Sequence, residues 1–173
     1  MNLPNRLTLL RILLVPVCLL LAGYDQYIIA AAVFALAAAT DTLDGYIARK
    51  RGLITVFGKF ADPIADKILV LSMMIVLCHE GLLPVWLPVL VTFRELLVDG
   101  LRMVAAEQGR VVAAGWSGKI KTVSQMILII YALLFGCGTV TIVASAAVAA
   151  LTLYSGIEYF WKLRDFFRKD FSQ

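Results

Sequence analysis

Histidine and cysteine are scarce in this chain, which has one His and three Cys among 173 residues. Cys18, Cys78 and Cys137 lie far apart without metal-ligand spacing, so we expect small buried hydrophobic residues rather than a redox or zinc motif. His79 has no second His at metalloprotease spacing. These scarcities argue against zinc chemistry.

The chain also contains no linker, low-complexity tract or convincing repeat. Hydrophobic residues make up 61% of the chain and the mean hydropathy is +0.88, whereas a soluble domain is about 45–50% apolar. A span needs roughly 20 apolar residues, so the length accommodates six spans and no soluble domain. We predict an all-α integral membrane protein with a single domain over residues 1–173, and a first apolar stretch that is a retained span.

Apolar runs bounded by charge, Gly or Pro predict six transmembrane helices, near residues 7–23, 27–47, 64–79, 84–106, 120–136 and 139–161. Residues 1–6 are expected to form a short N-terminal interfacial segment, with Pro4 starting the first helix and Asn5 or Thr8 capping it. The aromatic run Tyr159–Trp161 is expected to be an interfacial anchor.

Basic residues are confined to alternate connections between the predicted spans. The turns around 24–26, 80–83 and 137–138 contain no Lys or Arg, whereas the other connections and both ends are basic. The positive-inside rule therefore places both termini in the cytoplasm. The net charge is +4, and the basic residues lie beside apolar spans rather than in a soluble patch. This arrangement favours anionic membrane lipids or phosphate-bearing substrates as partners, and we expect no nucleic acid partner.

Four aspartates lie where predicted spans two and three approach each other. Asp41 and Asp44 are three residues apart, and Asp62 and Asp66 are four apart, so each pair shares a helix face. Carboxylates gathered at a membrane edge repel one another unless a cation lies among them. Oxygen ligands suit Mg2+ or Mn2+, and two ions would match phosphoryl displacement chemistry.

Small residues accompany these acids. Gly45, Ala48 and Gly58 each lie four residues from an aspartate and leave space beside it. Arg49 and Thr55 are placed to bind phosphate oxygens. The alternative is that the aspartates form structural ion pairs with neighbouring Arg and Lys side chains.

The string Asp41-x2-Asp44-Gly45-x2-Ala48-Arg49-x8-Gly58-x3-Asp62-x3-Asp66 resembles the complete signature of the CDP-alcohol phosphatidyltransferase family. With the six-span plan, the resemblance covers nearly the whole chain. It implies a transferase that passes a phosphatidyl group from CDP-diacylglycerol to an alcohol and releases CMP. It also implies a homodimer.

The resemblance assigns roles to the signature residues. Asp41, Asp44 and Asp62 would bind the metal, and Asp66 would be both a ligand and the catalytic general base. The expected CDP-diacylglycerol site comprises Asn5, Thr8, Gly45, Ala48, Arg49, Thr55 and Gly58.

Basic residues in predicted spans four and five indicate a second anion site. Cations inside a membrane are costly without an anionic partner, which favours a phosphorylated acceptor. The candidate residues are Arg94, Arg102, Arg110, Lys119 and Lys121. Alternatively, Arg94 pairs with a nearby acid while the two lysines reach the headgroups along their aliphatic stems.

The opening Leu3-Pro4-Asn5-x2-Thr8-x2-Arg11, the Arg94-Glu95 pair and Gly118-Lys-Ile-Lys-Thr resemble bacterial members of the family that use sn-glycerol 3-phosphate. This implies that phosphatidylglycerophosphate and CMP are formed in a bacterial inner membrane, at a site facing the cytoplasm. One alternative is a cardiolipin synthase, which accepts phosphatidylglycerol. Another is an ion-coupled transporter, whose intramembrane acids would line an ion path.

Overall fold

The computed structural model describes residues 3–51, 55–107, 109 and 115–170, with side chains at all of these except 3–4, 41–51, 56–57, 59, 163 and 165–170. The described residues form six α-helices. These are α1 (Leu3–Gly23), α2 (Tyr27–Arg51), α3 (Val56–His79), α4 (Trp86–Glu107), α5 (Trp116–Phe135) and α6 (Thr139–Asp170). The all-helical prediction is confirmed.

Among the residues that the structure describes, three helices are long and apolar enough to cross a membrane, over Asn5–Gly23, Trp116–Phe135 and Thr139–Lys162. Tyr27–Thr40 of α2 is apolar over a shorter length. Large apolar side chains also cover the outside of the bundle, such as Leu13, Ile28 and Phe135, which are 67%, 76% and 70% exposed. An apolar exterior of this kind suits contact with lipid.

The N-terminal end of α1 agrees with the prediction at Pro4, which lies at the start of the helix, and differs from it in the residues that follow. α1 begins at Leu3, so residues 3–6 belong to the helix and form no separate interfacial segment. Pro4 lies in the first turn, where a helix needs no N–H donor, so it does not interrupt the helix. Asn5 and Thr8 therefore do not cap α1, and their side chains contact α3 and its capping residue instead.

Helix packing brings α3 and α5 to the centre. α1 packs on α2 and α3, α5 packs on α2, α3 and α6, and α4 packs on α3 and α6. The core contains Phe34, Leu69, Met73 and Ile129, all fully buried. Small buried residues on α1 and α2 allow close approach of helices: Cys18, Ala22, Ala30, Ala31 and Ala37.

The cysteines meet the sequence expectation only in part. Cys18 is fully buried and Cys78 is partly buried. Cys137 is exposed, so the expectation of burial was wrong there. The reason is its position in the tight turn after α5. Gly136, the residue that caps the C-terminal end of α5, begins this turn with a positive φ of 74°.

Candidate functional site

The first polar cluster lies where the first turns of α1 meet the start of α3. Thr55 caps α3 by accepting a hydrogen bond from the Gly58 backbone N–H at 3.0 Å, and its hydroxyl donates to Asn5 Oδ1 at 2.8 Å. The Thr8 hydroxyl donates to Asp62 Oδ1 at 2.5 Å. We call these five residues the α1–α3 oxygen cluster.

Gly58 is the point on which these oxygens converge. A Cβ atom at Gly58 would lie 3.2 Å from Thr55 Oγ1, 3.4 Å from Asn5 Oδ1 and 3.5 Å from Asp62 Oδ2. The donor set is entirely oxygen, as Mg2+ and Mn2+ prefer. The glycine thus keeps open a cradle whose oxygen donors fit the predicted metal ion.

The α2 half of the predicted metal site lies outside the described side chains. The backbones of Asp41 and Asp44 lie in α2, but their side chains fall outside the described residues, as do those of Gly45, Ala48 and Arg49. Among the side chains that are described, no three His, Cys, Asp or Glu residues lie close enough to hold an ion. The four-aspartate site therefore stays a prediction.

Asp66 borders a second polar region, one turn beyond Asp62 on α3. A cavity of about 20 Å³ lies between α3, α4 and α5. Its polar lining consists of Asp66, Lys67, Glu95, Lys121, Thr122 and Gln125. The Asp66 carboxylate also lies near enough to attract the Lys121 ammonium electrostatically. The predicted base and a predicted anion-binding lysine thus share one small cavity.

Glu95 is the centre of the charges around this cavity. Its Oε1 accepts hydrogen bonds from Arg94 Nη1 at 3.1 Å and from Lys121 Nζ. Lys67 Nζ lies 3.8 Å from Glu95 Oε2 and is paired with Asp99. Lys121 is only 3% exposed, so it does not extend to the headgroups as the alternative interpretation required.

Tyr159 on α6 connects two of the predicted acceptor arginines. Its hydroxyl accepts hydrogen bonds from Arg102 Nη2 at 2.5 Å and from the Gly115 N–H at 3.1 Å. The guanidinium carbons of Arg94 and Arg102 lie 5.6 and 5.0 Å from its ring centroid, within cation–π range. Arg94 Nε and Nη2 and Arg102 Nε are buried without a partner among the described residues.

Sequence reasoning missed Tyr159, which was expected at the membrane interface. It is 1% exposed, so that expectation was wrong, whereas Phe160 and Trp161 are 52% and 59% exposed. A signal was available in the sequence, because polar residues recur along α6 at spacings of three, four or seven, which places them on one helix face. This buried stripe is Thr141, Ser145, Thr152, Ser155 and Tyr159. Lys67, Thr122 and Gln125 were also absent from the predicted site.

The remaining acceptor candidates lie elsewhere. Lys119 is exposed, with its Nζ 5.0 Å from the centroid of the Trp116 ring, and it does not line the cavity. Arg110 falls outside the described residues. The structure thus connects Arg94, Arg102 and Lys121 through Glu95 and Tyr159, and places Lys119 apart from them.

Comparison with known proteins gives a consistent result. A sequence model of CDP-alcohol phosphatidyltransferases matches residues 1–154. A Bacillus subtilis protein named CDP-diacylglycerol--glycerol-3-phosphate 3-phosphatidyltransferase is 41% identical over 93% of this chain and 94% of its own length. A Mycobacterium tuberculosis protein named probable phosphatidylglycerophosphate synthase is 42% identical over 91% of this chain and 79% of its own.

A Pseudomonas fluorescens protein with the same name as the Bacillus relative is 44% identical over 75% of this chain and 71% of its own. The family match covers most of the chain and includes all four aspartates. The chain therefore belongs to the CDP-alcohol phosphatidyltransferase family.

Proposed function

We propose that the protein transfers the phosphatidyl group of CDP-diacylglycerol to sn-glycerol 3-phosphate and forms phosphatidylglycerophosphate and CMP. Relatives that share about two fifths of its residues carry this reaction in their names. The observation that carries the proposal is that buried Lys121, with its charged neighbours, lines the same cavity as Asp66. The lysines of this cavity and the two arginines of α4 nearby suit an acceptor bearing a phosphate.

The charge of this pocket favours a phosphate monoester. Lys67, Arg94 and Lys121 pair with Glu95 and Asp99, and Asp66 lines the same cavity. Arg102 is hydrogen-bonded to the Tyr159 hydroxyl and has no carboxylate partner among the described residues. The four cations therefore exceed the three carboxylates, and a phosphate monoester, which carries about −1.5 to −2 at pH 7, would offset the excess.

The donor would bind at the α1–α3 oxygen cluster. Asp41, Asp44, Asp62 and Asp66 would hold Mg2+ or Mn2+, two ions in our proposal, which would neutralise diphosphate charge and stabilise the departing CMP. Thr8 orients Asp62 through its hydrogen bond. Thr55 fixes the start of α3 and the Asn5 side chain, so that the cluster is preorganised before the donor arrives.

Transfer then proceeds by direct displacement. The acceptor hydroxyl oxygen attacks the phosphatidyl phosphorus, the bond from that phosphorus to the CMP oxygen breaks, and Asp66 takes the hydroxyl proton. Lys121 and its neighbours hold the acceptor phosphate away from the reacting hydroxyl. The small cavity that Asp66 and Lys121 both line would receive one polar group of the acceptor between these two ends.

In the membrane, we propose six spans with both termini in the cytoplasm, in a bacterial inner membrane, and a homodimeric assembly. The absence of Lys and Arg from alternate turns supports this orientation. The exposed apolar surfaces of α3 and α4, including Ile75, Val89 and Phe93, could be covered by lipid or a second copy. Neither cardiolipin synthesis nor transport is favoured by the names of the relatives.

An acceptor screen tests the reaction. Purified protein with Mg2+ or Mn2+, CDP-diacylglycerol and sn-glycerol 3-phosphate should release CMP, and a chelator should stop release until metal is restored. Phosphatidylglycerol in place of glycerol phosphate should give no release. CMP release with phosphatidylglycerol alone would instead assign the protein to cardiolipin synthesis.

Asp66→Asn tests the base within the same assay. The variant should lose turnover while retaining bound CDP-diacylglycerol, because an amide cannot take the hydroxyl proton. Asp25→Asn is a matched control, since Asp25 lies in the exposed turn after α1 with φ 60°, which asparagine tolerates. Turnover retained by Asp66→Asn would contradict the assignment.

A further inference from the structure

The cavity beside Asp66 has room for one small polar group. Its volume of about 20 Å³ exceeds the space that one water or hydroxyl needs, about 10–15 Å³. The apolar side chains of Val70, Leu71 and Val91 complete the lining. A single hydroxyl between charged walls is therefore the largest addition that the cavity accepts without rearrangement.

Gln125 lines this cavity and carries an unused hydrogen-bond donor. It is 2% exposed, and its Nε2 is buried with no hydrogen-bond partner among the described residues. Other polar groups of the lining are already engaged: Lys121 with Glu95, and the Thr122 hydroxyl with the Gly118 carbonyl at 3.2 Å. A buried amide without a partner is unfavourable, so this position calls for a ligand that supplies an acceptor atom.

Gln125 also lines the cavity together with the two residues proposed to bind the ends of the acceptor. It follows Lys121 by one helical turn on α5 and lines the same cavity as Asp66 on α3. In the proposed reaction, Asp66 meets the reacting hydroxyl and Lys121 meets the phosphate. In glycerol 3-phosphate, the carbon between these two ends carries a second hydroxyl, which does not react.

We propose that Gln125 is a specificity-determining residue that donates a hydrogen bond from Nε2 to this non-reacting hydroxyl. The enzyme thereby selects polyol phosphates over acceptors that have the same phosphate and reacting hydroxyl but no second hydroxyl. An acceptor without that hydroxyl leaves the buried donor unpaired, and sites built to bind a hydroxyl reject such analogues. This inference rests on the proposed function, because it uses the places given there to Asp66 and Lys121.

The test compares two acceptors that differ by one hydroxyl, sn-glycerol 3-phosphate and 3-hydroxypropyl phosphate. The unmodified protein should show a kcat/KM about tenfold higher for glycerol phosphate, the ratio expected for one buried hydrogen bond. Gln125→Met keeps the length of the side chain and removes the amide. It should lower kcat/KM for glycerol phosphate about tenfold and leave that for 3-hydroxypropyl phosphate within about twofold, so that the preference disappears.

Two further variants distinguish the loss of this hydrogen bond from a structural disturbance of α5. Met126→Leu alters the adjacent, partly buried position, which is not part of the cavity lining, and should keep the acceptor ratio of the unmodified protein. Gln125→Asn retains the amide on a shorter stem and should restore part of the preference. An equal fall for both acceptors in Gln125→Met would show a structural role and overturn the proposal.

Failure of the inference is distinguishable from failure of the proposed function. Equal use of both acceptors by the unmodified protein would overturn the role of Gln125 and leave the transferase reaction standing. The proposed function itself would be overturned if neither acceptor supported CMP release and phosphatidylglycerol as the acceptor did. Because the readout is a ratio within each variant, differences in the yield of folded protein cancel.

Discussion

Two arginines eight residues apart on α4 share one aromatic partner, and this arrangement makes Tyr159 a positioning residue. Its ring lies near both guanidinium groups, while its hydroxyl holds Arg102 and the backbone at the start of α5. Hydrogen bonds to charged groups contribute about 1.5–3 kcal/mol. Tyr159 thus controls where Arg102 points without itself touching the reacting atoms.

We expect Tyr159→Phe to raise the KM for glycerol 3-phosphate about tenfold, because the phenyl ring remains but Arg102 loses its anchor. The KM for CDP-diacylglycerol should stay within about twofold and kcat should change little, since Asp66 and the α1–α3 oxygen cluster are separate from this contact. Steady-state kinetics with each substrate varied in turn provides the measurement.

The neighbouring substitution Phe160→Leu supplies the control on the same turn of α6. Phe160 is 52% exposed, and the change should leave both KM values near those of the unmodified protein. Equal increases in both KM values for Tyr159→Phe would indicate a loosened bundle rather than a displaced arginine, and would contradict the positioning role.

The residues differ in how far sequence could predict them. The spacing of Asp62 and Asp66 was sufficient to put them on one face of α3, because helical periodicity is local. Gln125 and Tyr159 depend on which helices are neighbours: α5 against α3, and α6 against α4. Neither contact follows from local spacing, so Gln125 was given no role and Tyr159 was assigned to the membrane interface.

At the scale of helices, the candidate donor site depends on α1 reaching the first turns of α3. The Thr55 cap and the Thr8–Asp62 hydrogen bond fasten these two helix ends together. Apolar runs and charges predicted ten of the twelve helix ends to within four residues, whereas α3 begins eight residues earlier and α6 ends nine residues later than the predicted spans. The role of Asn5 at the start of α1 was predicted wrongly, because its contact with Thr55 joins positions 50 residues apart.

We expect Gly58→Ala to raise the KM for CDP-diacylglycerol about tenfold or more, because its methyl group would press on oxygens from α1 and α3. The added Cβ would lie 3.2 Å from Thr55 Oγ1 and 3.4 Å from Asn5 Oδ1, so the capping side chain would have to shift. Loss of an N-cap costs about 0.5–2 kcal/mol. Donor kinetics and the thermal unfolding midpoint in detergent measure the two effects.

Gly100→Ala is the matched control for this substitution. Gly100 lies inside α4, and an added Cβ there would meet nothing within 4 Å. Replacing a helix-interior glycine with alanine stabilises by about 0.5–1 kcal/mol, so this variant should unfold at an equal or higher temperature with unchanged kinetics. Unchanged donor KM in Gly58→Ala would remove Gly58 from the proposed donor site.

For the whole molecule, apolar side chains cover the outside of the bundle as well as its core, and several charged and amide side chains lie inside it. Ionised and amide side chains such as Lys121, Glu95 and Gln125 are buried, whereas large apolar side chains are exposed over several helices. Polar residues inside a bundle in lipid are costly and mark functional sites. Composition predicted this membrane class, but the side of the membrane follows only from the charges of the connections.

The native Cys137 allows the proposed orientation to be measured. If all six helices span and both termini are cytoplasmic, the exposed turn carrying Cys137 faces away from the cytoplasm. A membrane-impermeant maleimide should then label Cys137 in right-side-out vesicles, and Cys137→Ser should lose that label. In the Cys137→Ser background, Ser172→Cys should react only in inverted vesicles, because the basic C-terminal end belongs on the opposite side. Labelling of both positions from the same side would mean that α6 does not cross the membrane, and would overturn the six-span arrangement.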